Sequence, residues 1–179
     1  MRYTGPTMLD NATPAILTIG HSNHEMADFL AMLTRHHAHT LVDVRSWPGS
    51  RRLPQFNQAP LEAALKAAAI QYVWFGKALG GKADDPALLT ADGRPDYAAM
   101  AACPAFQDAL AELITLAGAN TVVIMCAEGD PARCHRTNLV GNQLMKRGIA
   151  VTHILRDGTL TADGELPSRK PPAQPDLFG

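Results

Sequence analysis

The sequence predicts an α/β fold: a single-domain, three-layer α/β/α sandwich around a mainly parallel sheet of about five strands. Two observations carry this. Short apolar, β-branched runs alternate along the chain with stretches whose apolar residues recur at helical spacing, the pattern of parallel strands joined by right-handed helical crossovers. The totals also suit one domain with a real core: 179 residues, 46% hydrophobic and 18% charged, with no internal repeat. A net charge of -1 excludes a global basic field, so any nucleic-acid contact must be a local patch. Three cysteines, two of them in one motif, and no signal peptide suit reduced thiols in a cytoplasmic protein. No apolar run approaches the ~20 residues that span a bilayer, so no membrane partner is expected.

Taken in order, residues 1–13 lack periodicity and read as a flexible N-terminal arm ahead of an α/β domain over 14–160. Ala15–Ile19 is the first strand. It ends in Gly20-His21-Ser22-Asn23, where Gly20 permits a close backbone approach and Ser22 or Asn23 offers a cap for a helix over 24–36. Leu41–Arg45 is the second strand, with Asp43 a carboxylate in an apolar run that a two-sided sheet cannot turn to water. The stretch from Ser46 to Asn57 holds prolines, Arg51, Arg52, Trp47 and Phe56, and reads as an ordered substrate loop. A short helix opens at Pro60, a third strand spans 71–75, and 82–96 is a polar surface insertion before a helical turn at 97–101. Pro104 starts a helix through Leu116 that is apolar at Phe106, Leu110, Leu113 and Ile114. Thr121–Met125 is the fourth strand and Ala150–Leu155 the fifth. Residues 161–179 form a Pro-rich tail expected to lack regular structure.

The densest chemistry is Cys126-Ala127-Glu128-Gly129-Asp130-Pro131-Ala132-Arg133-Cys134-His135-Arg136. Cys126 falls at the carboxyl end of the fourth strand, the edge where ligands bind in open α/β sheets. Asp130 as cap and Pro131 at the first helical position start a helix running to about Arg147. Cys134, His135 and Arg136 lie in its first turn or just beyond. Arg136 shares a helical face with Leu139 and Val140, so it faces the sheet and needs a carboxylate, Asp43 or Glu128, or an anionic ligand. His21 and Arg45, at the ends of the first and second strands, converge on the same edge.

Cys126 is a candidate nucleophile, its thiolate favoured by the helix N-terminus and by Arg133, His135 and Arg136. The bland alternative is a small buried apolar residue. Glu128 is a candidate general acid/base, or a surface carboxylate balancing Arg133. With His21, Asp43, Cys134 and His135 they make the candidate catalytic set. The layout is similar to cysteine phosphatases and rhodanese-type sulfurtransferases, but a phosphatase loop needs Arg six positions after the Cys, where this chain has Ala132. Arg45, Arg51, Arg133 and Arg136, with Ser22 and Asn23, are the candidate phosphate contacts. Beside Trp47 and Phe56, the arginine loop suits a nucleotide or single-stranded nucleic acid. No cofactor is predicted, with zinc on Cys126, Cys134 and His135 (His21 as a fourth ligand) as the alternative, although this spacing is not a common finger pattern. The same thiols could form a regulatory disulfide. His36, His37 and His39 read as solvated, and Cys103 as structural.

Thr18-Ile19-Gly20-His21-Ser22-Asn23, Asp43-Val44-Arg45 with Pro48 and Ser50, Phe56-Asn57, Leu79-Gly80-Gly81 and the Cys126–Arg136 motif together resemble the domain-of-unknown-function family 488, over residues 15 to 156. That resemblance implies the fold and the location of the site, and names no reaction. Gln174-Pro175-Asp176-Leu177-Phe178 is similar to the bacterial sliding-clamp-binding pentapeptide, in which the Leu-Phe pair enters an apolar pocket and the Gln bonds at its rim. It implies a sliding-clamp partner and a DNA-maintenance setting. The expectation is therefore a hydrolase or transferase acting on a nucleotide or nucleic acid, with Cys126 as nucleophile or Glu128 as acid/base. The alternatives are a non-catalytic nucleotide- or DNA-binding adaptor, and a metal-binding or thiol-redox protein.

Overall fold

Six strands share one sheet: β1 (Ala15–Gly20), β2 (Thr40–Asp43), β3 (Gln71–Trp74), β4 (Val122–Cys126), β5 (Ala150–Ile154) and β6 (Leu160–Ala162). Their order is β3-β2-β4-β1-β5-β6. Every neighbouring pair is parallel except β5–β6. This computed structural model describes residues 15–169, so the N-terminal arm and the pentapeptide with Gln174, Leu177 and Phe178 lie outside the described residues. No helix among the described residues is long and apolar enough to cross a membrane.

The α/β expectation holds, and the strands form because their apolar side chains must be covered on both faces. Every residue of β4 is buried. Alternation along it sends Val123 and Met125 to one core and Val122, Ile124 and Cys126 to the other. The first core is closed by α1 (Met26–Arg35) and α2 (Gln58–Ala67), through Phe29, Leu33, Leu61 and Leu65. Against the opposite face pack α3 (Gly76–Leu79), α4 (Tyr97–Ala102) and α5 (Pro104–Ala119), together with the segment after β4. Neighbouring β1 and β4 thus send their following segments to opposite faces. The crevice between their carboxyl ends is a topological switch point, where such folds bind ligands.

Three local expectations are corrected. The tail predicted from 161 begins inside β6, because Asp157-Gly158 makes a tight turn: Gly158 takes φ +79° and Leu155 N–H bonds the Thr159 carbonyl at 2.8 Å. That folds three residues back antiparallel on β5. The single helix expected after Asp130 is three pieces: a 3-10 turn Pro131–Arg133, a π-helical turn Arg136–Gly141, and α6 (Asn142–Met145). Asp130 does cap the first, accepting from Ala132 N–H at 2.9 Å, but extended backbone at Cys134 (φ −109°, ψ 144°) interrupts the run. Neither Ser22 nor Asn23 caps α1, which starts after Glu25. Ser22 instead sits at φ 44° in a turn closed by His24 N–H on the His21 carbonyl.

Candidate active site

The ends of β1 and β4 are stitched together. Gly20 is level with Cys126 in the ladder. His21 N–H donates to the Cys126 carbonyl at 2.9 Å, and Ser22 N–H to Ala127 at 3.1 Å. The loop after Cys126 then folds over β1 so closely that a Cβ on Gly20 would lie 2.0 Å from the Glu128 carbonyl oxygen, which only glycine permits. Around this junction opens a cleft of about 760 Å³. It brings together His21, Ser22, Asn23 and Arg45 from the first two strand ends with Cys126, Glu128, Arg133, Cys134 and His135. Cys126 and Cys134 form its floor, each almost fully buried.

The two sulfurs touch, as in a disulfide, yet their Cα atoms are 7.8 Å apart. Disulfides span roughly 4.4–6.8 Å, so a covalent link would require the backbone to close in. Glu128 N–H points at the Cys126 sulfur (3.3 Å) and Arg136 N–H at the Cys134 sulfur (3.4 Å). His135 Nε2 lies 2.9 Å from the Val44 carbonyl, to which it must donate, so Nδ1 presents its lone pair toward Cys134 Sγ at 3.8 Å. Burial lowers the pKa of His135 and keeps it neutral. These two sulfurs and the imidazole offer ligand atoms within 4.8 Å of one another, a set that could hold a thiophilic metal.

His21 and Arg45 are held by Asp43. The buried carboxylate accepts from Arg45 Nε at 2.9 Å and Nη2 at 2.6 Å, from the Arg45 N–H at 3.0 Å, and from the Tyr72 hydroxyl at 2.9 Å. Arg45 Nη1 donates to the Phe56 carbonyl at 2.8 Å and lies 3.3 Å from His21 Nε2. His21 stacks on Phe56, ring centroids 4.4 Å apart, and its Nδ1 donates to the Ser22 carbonyl at 2.9 Å. Burial drives its pKa down to about 4, so it is neutral with Nε2 free to accept from the guanidinium. Asp43 itself lies behind the cleft wall, fully buried, and acts on the site through Arg45.

Arg136 is the largest fully buried side chain among the described residues. It faces the sheet, as its spacing with Leu139 and Val140 implied, but it is paired with neither Asp43 nor Glu128. Its Nη1 reaches the Glu128 carbonyl and the Cys126 sulfur (3.5 Å), Nη2 the Gly129 carbonyl (3.2 Å), and Nε the Thr18 hydroxyl (3.2 Å). Burial pulls its pKa down to about 10, partly opposed by Glu128 and Asp130, so it remains a cation at neutral pH.

A family model described as "Domain of unknown function DUF488" matches residues 25–142, more than half of the chain. The chain belongs to this family. No curated protein and no solved structure matches it.

In this DUF488 chain the match takes in the whole Cys126–Arg136 motif, while β1 with His21, and β5 and β6, lie outside the matched stretch. The sequence reading missed a buried chain behind the floor. Thr18 Oγ1, which accepts from Arg136, donates to His153 Nδ1 at 2.8 Å, and His153 Nε2 donates to Asp163 at 3.2 Å. Asp163 is also paired with Arg169 at 3.0 Å. Polar residues inside the apolar runs of β1 and β5 were the signal, the same one that singled out Asp43. Of the loop arginines, exposed Arg52 lines the main cleft with Lys82, whereas Arg51 lines a neighbouring one. Arg136, expected at phosphate, sits beneath the floor. His36, expected solvated, bonds the Gly158 carbonyl at 2.8 Å.

Proposed function

We propose that this DUF488 chain is an enzyme, a hydrolase or transferase, acting on a phosphate-bearing nucleotide or nucleic-acid substrate with Cys126 as nucleophile and Glu128 as general acid/base. The observation that carries the reading is the charge balance of Arg136. Its guanidinium is fully buried, and among the described residues no carboxylate lies within 4.0 Å of it. An uncompensated buried cation costs several kcal/mol. With the Cys126–Cys134 pair reduced, a Cys126 thiolate at 3.5 Å supplies the missing anion, and Glu128 N–H adds a second donor to the same sulfur. The thiolate bonds to the substrate's electrophilic centre as the bond to the leaving group breaks, and Glu128 gives that group its proton. Water, or an acceptor hydroxyl in a transferase, then bonds to the same centre, losing its proton to Glu128 and releasing the thiolate. Exposed Arg52, Lys82 and Arg133 at the mouth suit the phosphate.

Turnover on a panel of nucleotides and DNA and RNA oligonucleotides tests this. Cys126→Ala and Glu128→Gln should each lower the rate by about 10²-fold or more, Glu128→Gln with melting temperature unchanged and Cys126→Ala with a lowered one, because it leaves Arg136 uncompensated. Full activity in both variants rules the assignment of these residues out, and no turnover by the parent on any substrate leaves a non-catalytic binding module. A metal-dependent reading is favoured by one specific observation, the His135 Nε2 bond to Val44, since a ligating imidazole characteristically donates its other N–H to a carbonyl. Stoichiometric zinc lost in Cys134→Ser and His135→Ala supports it, and activity of metal-free protein dismisses it. The terminal pentapeptide supports a sliding-clamp partner. Clamp binding abolished by Leu177→Ala with Phe178→Ala is the expected result, and unchanged binding removes that partner.

A further inference from the structure

We infer that a second cleft beside the first is a stacking groove for single-stranded nucleic acid, so that the substrate is a nucleotide within a strand rather than a free nucleotide; this rests on the reading of the main cleft given above. The second cleft, about 820 Å³, shares Trp47, Gly49 and Ser50 with the main one, so the two adjoin. Both tryptophans of the chain line it. Trp47 is 76% exposed and Trp74 38%. Two indoles left to water in one groove mark a binding surface rather than a stray apolar residue.

Trp74 is held in place. Trp74 Nε1 donates to the Arg45 carbonyl at 3.0 Å. A Cβ on Gly76 would lie 2.3 Å from that nitrogen, and a Cβ on Gly49 would lie 2.6 Å from Trp47 Nε1, so each ring lies against a glycine that leaves it room. A flat face fixed in advance, as that of Trp74 is, loses little side-chain freedom when a base stacks on it. Exposed Arg51 lines this groove and Arg52 the adjoining cleft, and among the described residues neither has a carboxylate within 4.0 Å. No carboxylate lines the groove. Aromatic faces interleaved with uncommitted guanidiniums match the alternation of base and phosphate along a single strand. A proline-rich peptide can also use exposed tryptophans, but it gives unpaired arginines nothing to neutralise.

Because both tryptophans line the groove, intrinsic fluorescence of the full chain reads it directly. The titrants are a deoxythymidine oligomer of about ten nucleotides, thymidine monophosphate and a polyproline peptide. The oligomer should quench with at least about tenfold higher affinity than the monophosphate. Trp47→Ala should weaken oligomer binding about 5–100-fold, read by anisotropy of a labelled oligomer, and weaken monophosphate binding less, and Trp47→Phe should restore most of it. Arg51→Ala should flatten the salt dependence. Equal affinity for oligomer and monophosphate, an unaffected Trp47→Ala variant, or quenching by polyproline alone would each overturn the inference. Turnover of free nucleotides without oligomer binding removes the groove and keeps the catalytic reading. Trp47-dependent oligomer binding in a protein whose activity survives Cys126→Ala and Glu128→Gln does the reverse.

Discussion

Replacing Arg136 with methionine removes the cation beneath the floor and strips the Glu128 and Gly129 carbonyls and the Thr18 hydroxyl of their donor. Breaking such a buried network costs on the order of 3–5 kcal/mol. On the reading above, Cys126 should then be alkylated more slowly than in the parent at neutral pH. Arg136→Lys keeps the charge but not the fork, and should fall between the two. His21 gives a separate acid signature. Its folded pKa of about 4 lies below the ordinary 6.5, so the unfolded chain takes up a proton that the folded chain refuses. The stabilisation is complete above pH 6.5 and is lost as pH falls toward 4, worth at most about 3 kcal/mol. Burial lowers His135 and His153 as well, which steepens the same slope. Urea midpoints measured from pH 7.5 to 4 should therefore fall, and His21→Gln should flatten the decline.

At the scale of elements, the short β6 matters more than its three residues suggest. It carries the chain to Asp163, and the bonds from Asp163 through His153 and Thr18 to Arg136 tie the last described segment to the cleft floor. Asp163→Asn keeps the shape but lets the amide present a donor to His153, reversing the tautomer on which Thr18 depends. The expected result is a change in Cys126 alkylation together with a lowered melting temperature, since the Arg169 and His153 pairs are lost, although residue 163 lies outside the cleft; an unchanged alkylation profile would make this chain purely structural. The π-helical turn serves the same end. It begins at Arg136 and replaces the regular helix read from Asp130-Pro131, and such turns recur where a side chain must be aimed at a site.

For the whole molecule, layers and site edge were legible because periodicity and strand-end position are local signals. Asp43, Arg45, His21 and the Cys126 motif all reported themselves as polar groups at or inside apolar runs. What was not legible was choice among neighbours. Nothing in Ser50-Arg51-Arg52 says which arginine faces which cleft, since that depends on how an irregular loop lies on the sheet. The partner of Arg136 was missed because backbone carbonyls carry no sequence signature, and β6 because Pro-rich composition outweighed the Asp157-Gly158 turn.

The central position of β1 has a consequence for synthesis. Among the described residues its sheet partners are β4 and β5, and the first of these starts at Val122. As the chain emerges from the ribosome, a strand of apolar residues waits for more than a hundred others with both hydrogen-bonding edges bare. A fragment ending before Val122 should therefore aggregate or bind chaperones rather than show cooperative melting. Closing so long a loop also makes this a high-contact-order fold, with refolding slower than in helical domains of its size. Because the cleft is built from the β1 and β4 ends, it comes into being only at that late closure.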